Sequence, residues 1–320
     1  MKTKGVIFVG DPHLSSFTPA SRIDHYPSVI LSKLRYCLET AVRLGFSTVI
    51  ILGDFGHVRQ IPMLYVSIVQ KMLREFTDQG LKIFSVVGNH DIAYNRLDTV
   101  DGSILGAVFS SGLVTPLTVL ELEMGSLKVR VQGVNYPDPV PPAPEYEGVN
   151  LCVIHRFFDT STEPSFITRQ DVVDYGYNVY IFGHDHVEKK PELVEGRLVI
   201  VPGSISRGTS HNYNLTKQVV IYSLSAPEGK PSFKRLSIPT KPASEVFSSR
   251  VESKKLSESL DISSEVGKVL DQLRDIQIIQ GDVYRLLEMF TDAFPEEAIL
   301  CVKDYLRQFG IFDRRGGSEA

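Results

Sequence analysis

The chain has 320 residues, 42% of them hydrophobic and 22% charged, with 24 Gly, 18 Pro and no Trp. This profile excludes a disordered, a collagenous or a membrane-bundle protein, and the length suits one large domain with a smaller appendage. The formal net charge of −4 gives no global attraction to nucleic acid. The basic start Met1-Lys2-Thr3-Lys4 precedes only four apolar residues, Val6 to Val9. That run is too short for a signal peptide or a membrane span, so a cytoplasmic protein with no membrane partner is expected. Cys37, Cys152 and Cys301 are far apart in apolar contexts, as buried thiols of a reducing compartment are, and predict neither disulfide nor zinc framework.

Short β-branched runs alternate with helical patterns. Val6 to Val9 predicts the first strand, and Ser28 to Leu44 a helix that stops at Gly45. Thr48 to Leu52 predicts the second strand, Pro62 to Gln79 a helix that stops at Gly80, and Lys82 to Val87 the third strand. This front half is an α/β pattern. Strands then dominate: Leu127 to Gln132, Asn150 to Ile154, Asn178 to Phe182, Arg197 to Val201 and Gln218 to Tyr222. Pro137 to Pro144 reads as a rigid surface loop, and the strand-rich half argues against a simple doubly wound sheet. Pro227 to Pro242 reads as a linker or an edge hairpin, and Val246 to Phe312 as helices punctuated by Gly281 and Pro295. The expected division is 1–225, 226–245 and 246–320.

Charge is uneven along the chain. Residues 201–250 carry Arg207, Lys217, Lys230, Lys234, Arg235, Lys241 and Arg250 against Glu228 and Glu245, whereas 251–320 is acidic. A basic strip on an acidic protein and an ordinary solvated face both fit this pattern.

Six of the eight histidines fall in five short blocks: Gly10-Asp11-Pro12-His13, Gly53-Asp54-Phe55-Gly56-His57, Gly88-Asn89-His90-Asp91, His155, and Gly183-His184-Asp185-His186. Each follows a predicted strand, and strand ends are where loops of an α/β sheet converge on a site. Taken singly, Asp-x-His and Gly-Asp are ordinary extended or turn segments, and His155 alone reads as a core histidine. Gly-His-Asp-His is different, because a core places neither imidazole there. Asp oxygens, His nitrogens and one Asn carbonyl without thiolate suit Mn²⁺, Fe²⁺ or Zn²⁺. Seven such ligands exceed one ion, and two ions about 3.5–4 Å apart would clamp an in-line phosphoryl displacement.

The ordered set D-x-H, G-D, G-N-H-D, H, G-H-x-H resembles the calcineurin-like metallophosphoesterase superfamily over residues 5 to about 210. The resemblance implies a four-layer α/β/β/α sandwich with a small C-terminal helical region. It implies Asp11, His13 and His186 on one divalent ion, Asn89, His155 and His184 on the other, and Asp54 bridging, with Mn²⁺ favoured and Mg²⁺, Fe²⁺ or Zn²⁺ open. It also implies His90 as the acid beside the scissile phosphate, with Asp91 orienting it.

Protein Ser/Thr phosphatases carry G-D-x-V-D-R-G and usually G-N-H-E, and this chain has neither. Gly-Asp-x-x-His, Pro62, the His13-Leu14 pair and the helix between the first two blocks instead resemble SbcD-type DNA repair exonucleases, including shorter versions encoded by bacteriophages. That resemblance implies DNA hydrolysis by a metal-activated hydroxide, with His57 assisting the exonuclease reaction. It further implies an SbcC-type SMC-like ATPase as partner, docked by the C-terminal helices, with a homodimer open, in the cytoplasm of a bacterial or infected host cell. Val201-Pro202-Gly203-Ser204-Ile205-Ser206-Arg207 follows a strand, and Ser204 and Arg207 fit a phosphate contact, although Arg207 fits a structural ion pair equally. Two other readings stand beside this one: the same centre acting on a small nucleotide or cyclic phosphodiester, and a non-catalytic interaction subunit. Intact ligands oppose the last.

Overall fold

A computed structural model of the chain describes residues 1–58, 61–159, 166–209 and 212–248. The helices expected beyond residue 248, and Cys301, lie outside the described residues. The front half runs β1 (Gly5–Val9), α1 (Tyr26–Arg43), β2 (Thr48–Ile51), α2 (Met63–Thr77), β3 (Lys82–Ser85), α3 (Ile104–Ser110) and β4 (Thr115–Pro116). The second half runs β5 (Val119–Met124), β6 (Leu127–Val134), β7 (Val149–His155), α4 (Arg169–Tyr175), β8 (Val179–Gly183), β9 (Lys189–Val194), β10 (Arg197–Val201), α5 (Asn212–Thr216), β11 (Val220–Ser225), β12 (Ser232–Ser237) and α6 (Ala243–Val246).

Two six-stranded mixed sheets result, ordered β12-β11-β1-β2-β3-β4 and β5-β6-β7-β8-β10-β9. In the first, β1 to β4 are parallel and β11 and β12 are antiparallel additions at one edge. In the second, β6, β7, β8 and β10 are parallel, flanked by antiparallel β5 and β9.

The layers follow from the two-residue period of a strand. Val6, Phe8, Ile50 and Leu52 join Leu151, Val153 and Ile181 in the core between the sheets. Their neighbours Ile7, Val9, Val49 and Ile51 face the other way, onto Ile30, Leu34, Leu38, Val69 and Leu73 of α1 and α2. On the second sheet Cys152, Ile154 and Phe182 pack on Val172 of α4. Helix, sheet, sheet and helix therefore form the four expected layers, and the central strands β1, β2, β7 and β8 are almost continuously apolar because both sheet faces are covered there.

Local signals explain the boundaries. α1 begins two residues before the expected Ser28 because Pro27 is tolerated in a first turn and His25 Nδ1 caps the Ser28 N–H at 3.4 Å. α4, absent from the sequence reading, spans only seven residues, too few for a helical period. It is marked by a Thr168–Asp171 capping box and a left-handed Gly176. The Pro137 to Pro144 segment is irregular, as expected. Within Pro227 to Pro242, β12 pairs along the whole of β11 as the outer strand of the first sheet. Cys37 and Cys152 are buried free thiols. Among the described residues no helix is long and apolar enough to cross a membrane.

Candidate metal centre

The five blocks lie at the C-terminal ends of parallel strands from both sheets: Asp11 and His13 after β1, Asp54 after β2, Asn89 after β3, His155 ending β7, and His184 and His186 after β8. The covered sheet faces carry these polar residues to one rim. Asp11, His13, Asp54 and His155 are at most 2% exposed, while Asn89, His90, His57, His184 and His186 are partly exposed. The carboxylates thus form a floor and the outer imidazoles a mouth.

Two clusters have ligand atoms within 4.8 Å of one another: Asp11, His13 and His186, and Asp54, His155 and His184. Asn89 joins the second, its Oδ1 lying 3.1 Å from His155 Nε2. Asp54 spans both, with Oδ2 3.5 Å from His13 Nε2 and Oδ1 3.3 Å from His155 Nε2. The chain fixes these groups from behind. His155 Nδ1 donates to the Leu52 carbonyl at 2.7 Å, which makes Nε2 the ring nitrogen that faces the site. The His184 N–H donates to Asp11 Oδ2 at 2.8 Å, and the His90 N–H to Asp54 Oδ1 at 2.9 Å.

The glycines in the blocks reflect this crowding. Gly53 has φ +98°, and a Cβ there would run into His155 Nδ1; a Cβ at Gly88 would run into Asp54 Oδ1. Four site residues adopt left-handed backbone without being glycine: Asp11 (φ 29°), His13 (46°), Asp54 (47°) and His184 (81°). Such conformations cost about 1–3 kcal/mol each and persist where the surroundings dictate them.

The donor set fits cations. Asp11 Oδ1, Asp54 Oδ2, His13 Nδ1 and His184 Nδ1 are buried without a hydrogen-bond partner and all belong to residues of the two clusters, whereas buried polar atoms in proteins generally find one. His13 Nε2 and His186 Nε2 lie 2.8 Å apart. Burial pushes His13 well below the usual imidazole range, and it pushes His184 and His186 down to about 3. All three present neutral, ligand-ready rings. Burial raises the Asp11 carboxyl to about 7 against the pull of His155. Burial acts the same way on Asp54, but His155, His90 and His13 outweigh it and hold that carboxyl well below its usual range. For His155 burial disfavours the charge, yet Asp54 and Asp11 raise the ring to about 9.

His90 and His57 stand beside the first cluster, with His13, His57 and His90 also within 4.8 Å of one another. Asp91 does not orient His90 as the resemblance implied. Its carboxylate accepts the backbone N–H groups of Gly88, Phe55 and Gly56 at 2.9, 3.3 and 3.2 Å, tying the second block to the third. His90 is oriented instead by the His57 carbonyl, which accepts from Nδ1 at 2.9 Å.

Ser204 and Arg207 are both buried and engaged within the chain. Ser204 Oγ donates to the Asp11 carbonyl at 2.7 Å and is 1% exposed. Arg207 is 3% exposed, donates to the Asn214 and Lys241 carbonyls, and lies over the Phe247 ring. Arg235 pairs with Glu188 through two hydrogen bonds, and Lys217 donates to the His186 and Ser206 carbonyls. Three of the seven basic residues at 201–250 are thus committed internally, which breaks up the basic strip.

The supports that sequence reasoning missed are the Leu52 and His57 carbonyls, Lys217 and Lys33. Backbone acceptors carry no sequence signal, and the two lysines sit outside every motif.

The calcineurin-like phosphoesterase family model matches residues 5–188. Among curated proteins none matches the chain. Similar solved structures include three that are matched over nearly their whole length. A hypothetical protein from Thermus thermophilus shares 16% identity, with a TM-score of 0.42, over 73% of this chain and 100% of its own. A dimetal phosphatase from Danio rerio shares 10% identity, with a TM-score of 0.45, over 73% and 99%. Vacuolar Protein Sorting 29 from Cryptosporidium parvum shares 15% identity, with a TM-score of 0.33, over 74% and 99%.

Proposed function

We propose, for a chain that belongs to the calcineurin-like phosphoesterase family, that it is a two-metal phosphodiesterase acting on DNA, an SbcD-like repair and recombination exonuclease. Asp11, His13 and His186 would hold one ion, Asn89, His155 and His184 the other, with Asp54 between them and Mn²⁺ suited to this oxygen and nitrogen set. The observation that carries the two-ion reading is Asp54, whose two oxygens face imidazoles of different clusters while six further ligand-type residues gather around it. Divalent ions bound there supply Lewis-acid charge for the phosphate and acidify water. His90 holds the proton for the leaving sugar oxygen: with Nδ1 fixed on the His57 carbonyl, Nε2 is its exchangeable site. Asp91 keeps the loops of Asp54 and His90 in register. DNA as substrate rests on the Gly-Asp-x-x-His pattern, whose His57 ring stacks on His90 at 5.7 Å. The SbcC-type ATPase partner, docked by residues 246–320, rests on the same resemblance, and co-elution with such an ATPase tests it.

The internal commitment of Arg207, Lys217 and Arg235 favours a second reading, a small nucleotide or cyclic phosphodiester substrate, because it removes candidate backbone contacts. One experiment separates the two. The purified chain with Mn²⁺ is given an end-labelled linear duplex, with His90→Ala as the control. Digestion by the wild type alone, falling steeply as salt rises, supports DNA. An inert duplex beside hydrolysis of a generic aryl phosphodiester overturns DNA and leaves the small substrate.

A further inference from the structure

Rings continue outward from the metal centre on one side. His13 meets His90 edge-on with centroids 4.9 Å apart, His90 stacks on His57 at 5.7 Å and 15°, and Phe17 stands 5.9 Å from His57. Phe17 is 44% exposed, although Leu14 and Ser15 just before it are fully buried. Its position is fixed. Ser15 Oγ accepts the Phe17 N–H at 3.2 Å and donates to the Phe17 carbonyl at 3.0 Å. The Leu14 N–H donates to the Phe55 carbonyl, and the His57 N–H to the Leu14 carbonyl, so the turn carrying Phe17 is tied to the block carrying His57. A large aromatic residue is thus left nearly half open to solvent beside His57 on a pinned turn.

We propose that Phe17 is a base-stacking residue that receives the nucleobase of the nucleoside leaving on the His90 side. The proposal rests on the reading above that the substrate is a nucleic-acid phosphodiester. If His90 gives its proton to the leaving oxygen, the departing sugar lies along the His90–His57 row, and its base meets the next ring outward. Every base has a π-face, so such a platform confers preference for a nucleoside over a base-free ester without reading sequence. Phe157 and Tyr136, whose rings lie 4.3 and 6.1 Å from His184, flank the opposite ligand set and form its wall.

The test compares wild type, Phe17→Ala and Phe17→Trp on a short duplex with natural ends and on the same duplex ended in abasic tetrahydrofuran residues. A dinucleoside monophosphate and methyl 4-nitrophenyl phosphate complete the substrate set, and metal stoichiometry is measured for each variant. Phe17→Ala should lower kcat/KM on natural ends about tenfold, through KM, and leave abasic ends and metal content unchanged. Phe17→Trp should restore the loss. Equal loss on natural and abasic ends overturns the stacking role while DNA hydrolysis stands. If the wild type spares the duplex and the loss appears on the dinucleotide, the stacking role stands with a small nucleotide and the DNA reading falls. Hydrolysis of the aryl ester alone overturns both.

Discussion

The two sides of the candidate metal centre are built on different supports. His155 is the last residue of β7, in register with Gly183 of β8, and its Nδ1 rests on the Leu52 carbonyl. That side hangs on sheet backbone. Asp11 and His186 hang on the loop Gly203–Arg207 and on Lys217 beyond it: Ser204 Oγ holds the Asp11 carbonyl, the Ile205 N–H holds the Gly10 carbonyl, and Lys217 holds the His186 carbonyl. The loop is held in turn by Lys33 on the Ile205 carbonyl, at 2.9 Å, and by Arg22 on the Arg207 carbonyl. A backbone ladder leaves single substitutions little to remove, whereas a loop strung on buried side chains can be loosened one group at a time.

The largest expected effect collapses the comparison. Asp54→Asn removes a charge common to both sides, so turnover should fall by about 10⁴-fold and metal analysis should show both ions weakened. Retention of one tight ion would show that Asp54 serves one side only. His90→Ala should cost about 10³-fold in kcat with both ions retained, because His90 stands beside the ligands rather than among them. Loss of metal in that variant would move His90 into the cage.

Lys217→Met sharpens the comparison. Calorimetric titration with Mn²⁺ should show one binding step weakened about 10- to 100-fold and the other unmoved, as for loss of a group that orients a ligand. Equal weakening of both steps would erase the distinction between the sides. Lys33→Met carries the smallest effect, on stability. Burial pushes the Lys33 amine down to about 7, below its unfolded value of 10.5. Between those values the unfolded chain binds the extra proton, so stability rises with pH from about 7 toward 10, and the burial penalty is complete below 7. Urea unfolding at pH 6.5 and 9 should show this rise in the wild type and a flatter response in Lys33→Met.

Sequence pattern made the frame legible where both strand faces are apolar. Val6 to Val9, Thr48 to Leu52 and Asn178 to Phe182 are continuous because alternate residues feed different cores. The outer strands were harder, since β9 (Lys-Lys-Pro-Glu-Leu-Val) and two-residue β4 bury little and carry no comparable run. The ligand-type blocks were legible because chemistry restricts which side chains sit beside Gly-Asp and Gly-His at strand ends. Their supports were not. Arg207 and Asp91 look like site residues by type, yet one is spent on carbonyls and the other on N–H groups, and only the folded chain shows which partners each side chain meets.

The left-handed backbone at Asp11, His13, Asp54 and His184 bears on how the centre is loaded. Those conformations are imposed by the polypeptide's own bonds, among them the His13 N–H on the Asp54 carbonyl at 2.9 Å and the His184 N–H on Asp11. On the proposed two-ion reading the cage would be a template cast by folding, with little chain left for an arriving ion to order. Ion exchange becomes a matter of diffusion and proton release, so a chelated sample should keep its far-ultraviolet dichroism and recharge without refolding when Mn²⁺ is returned.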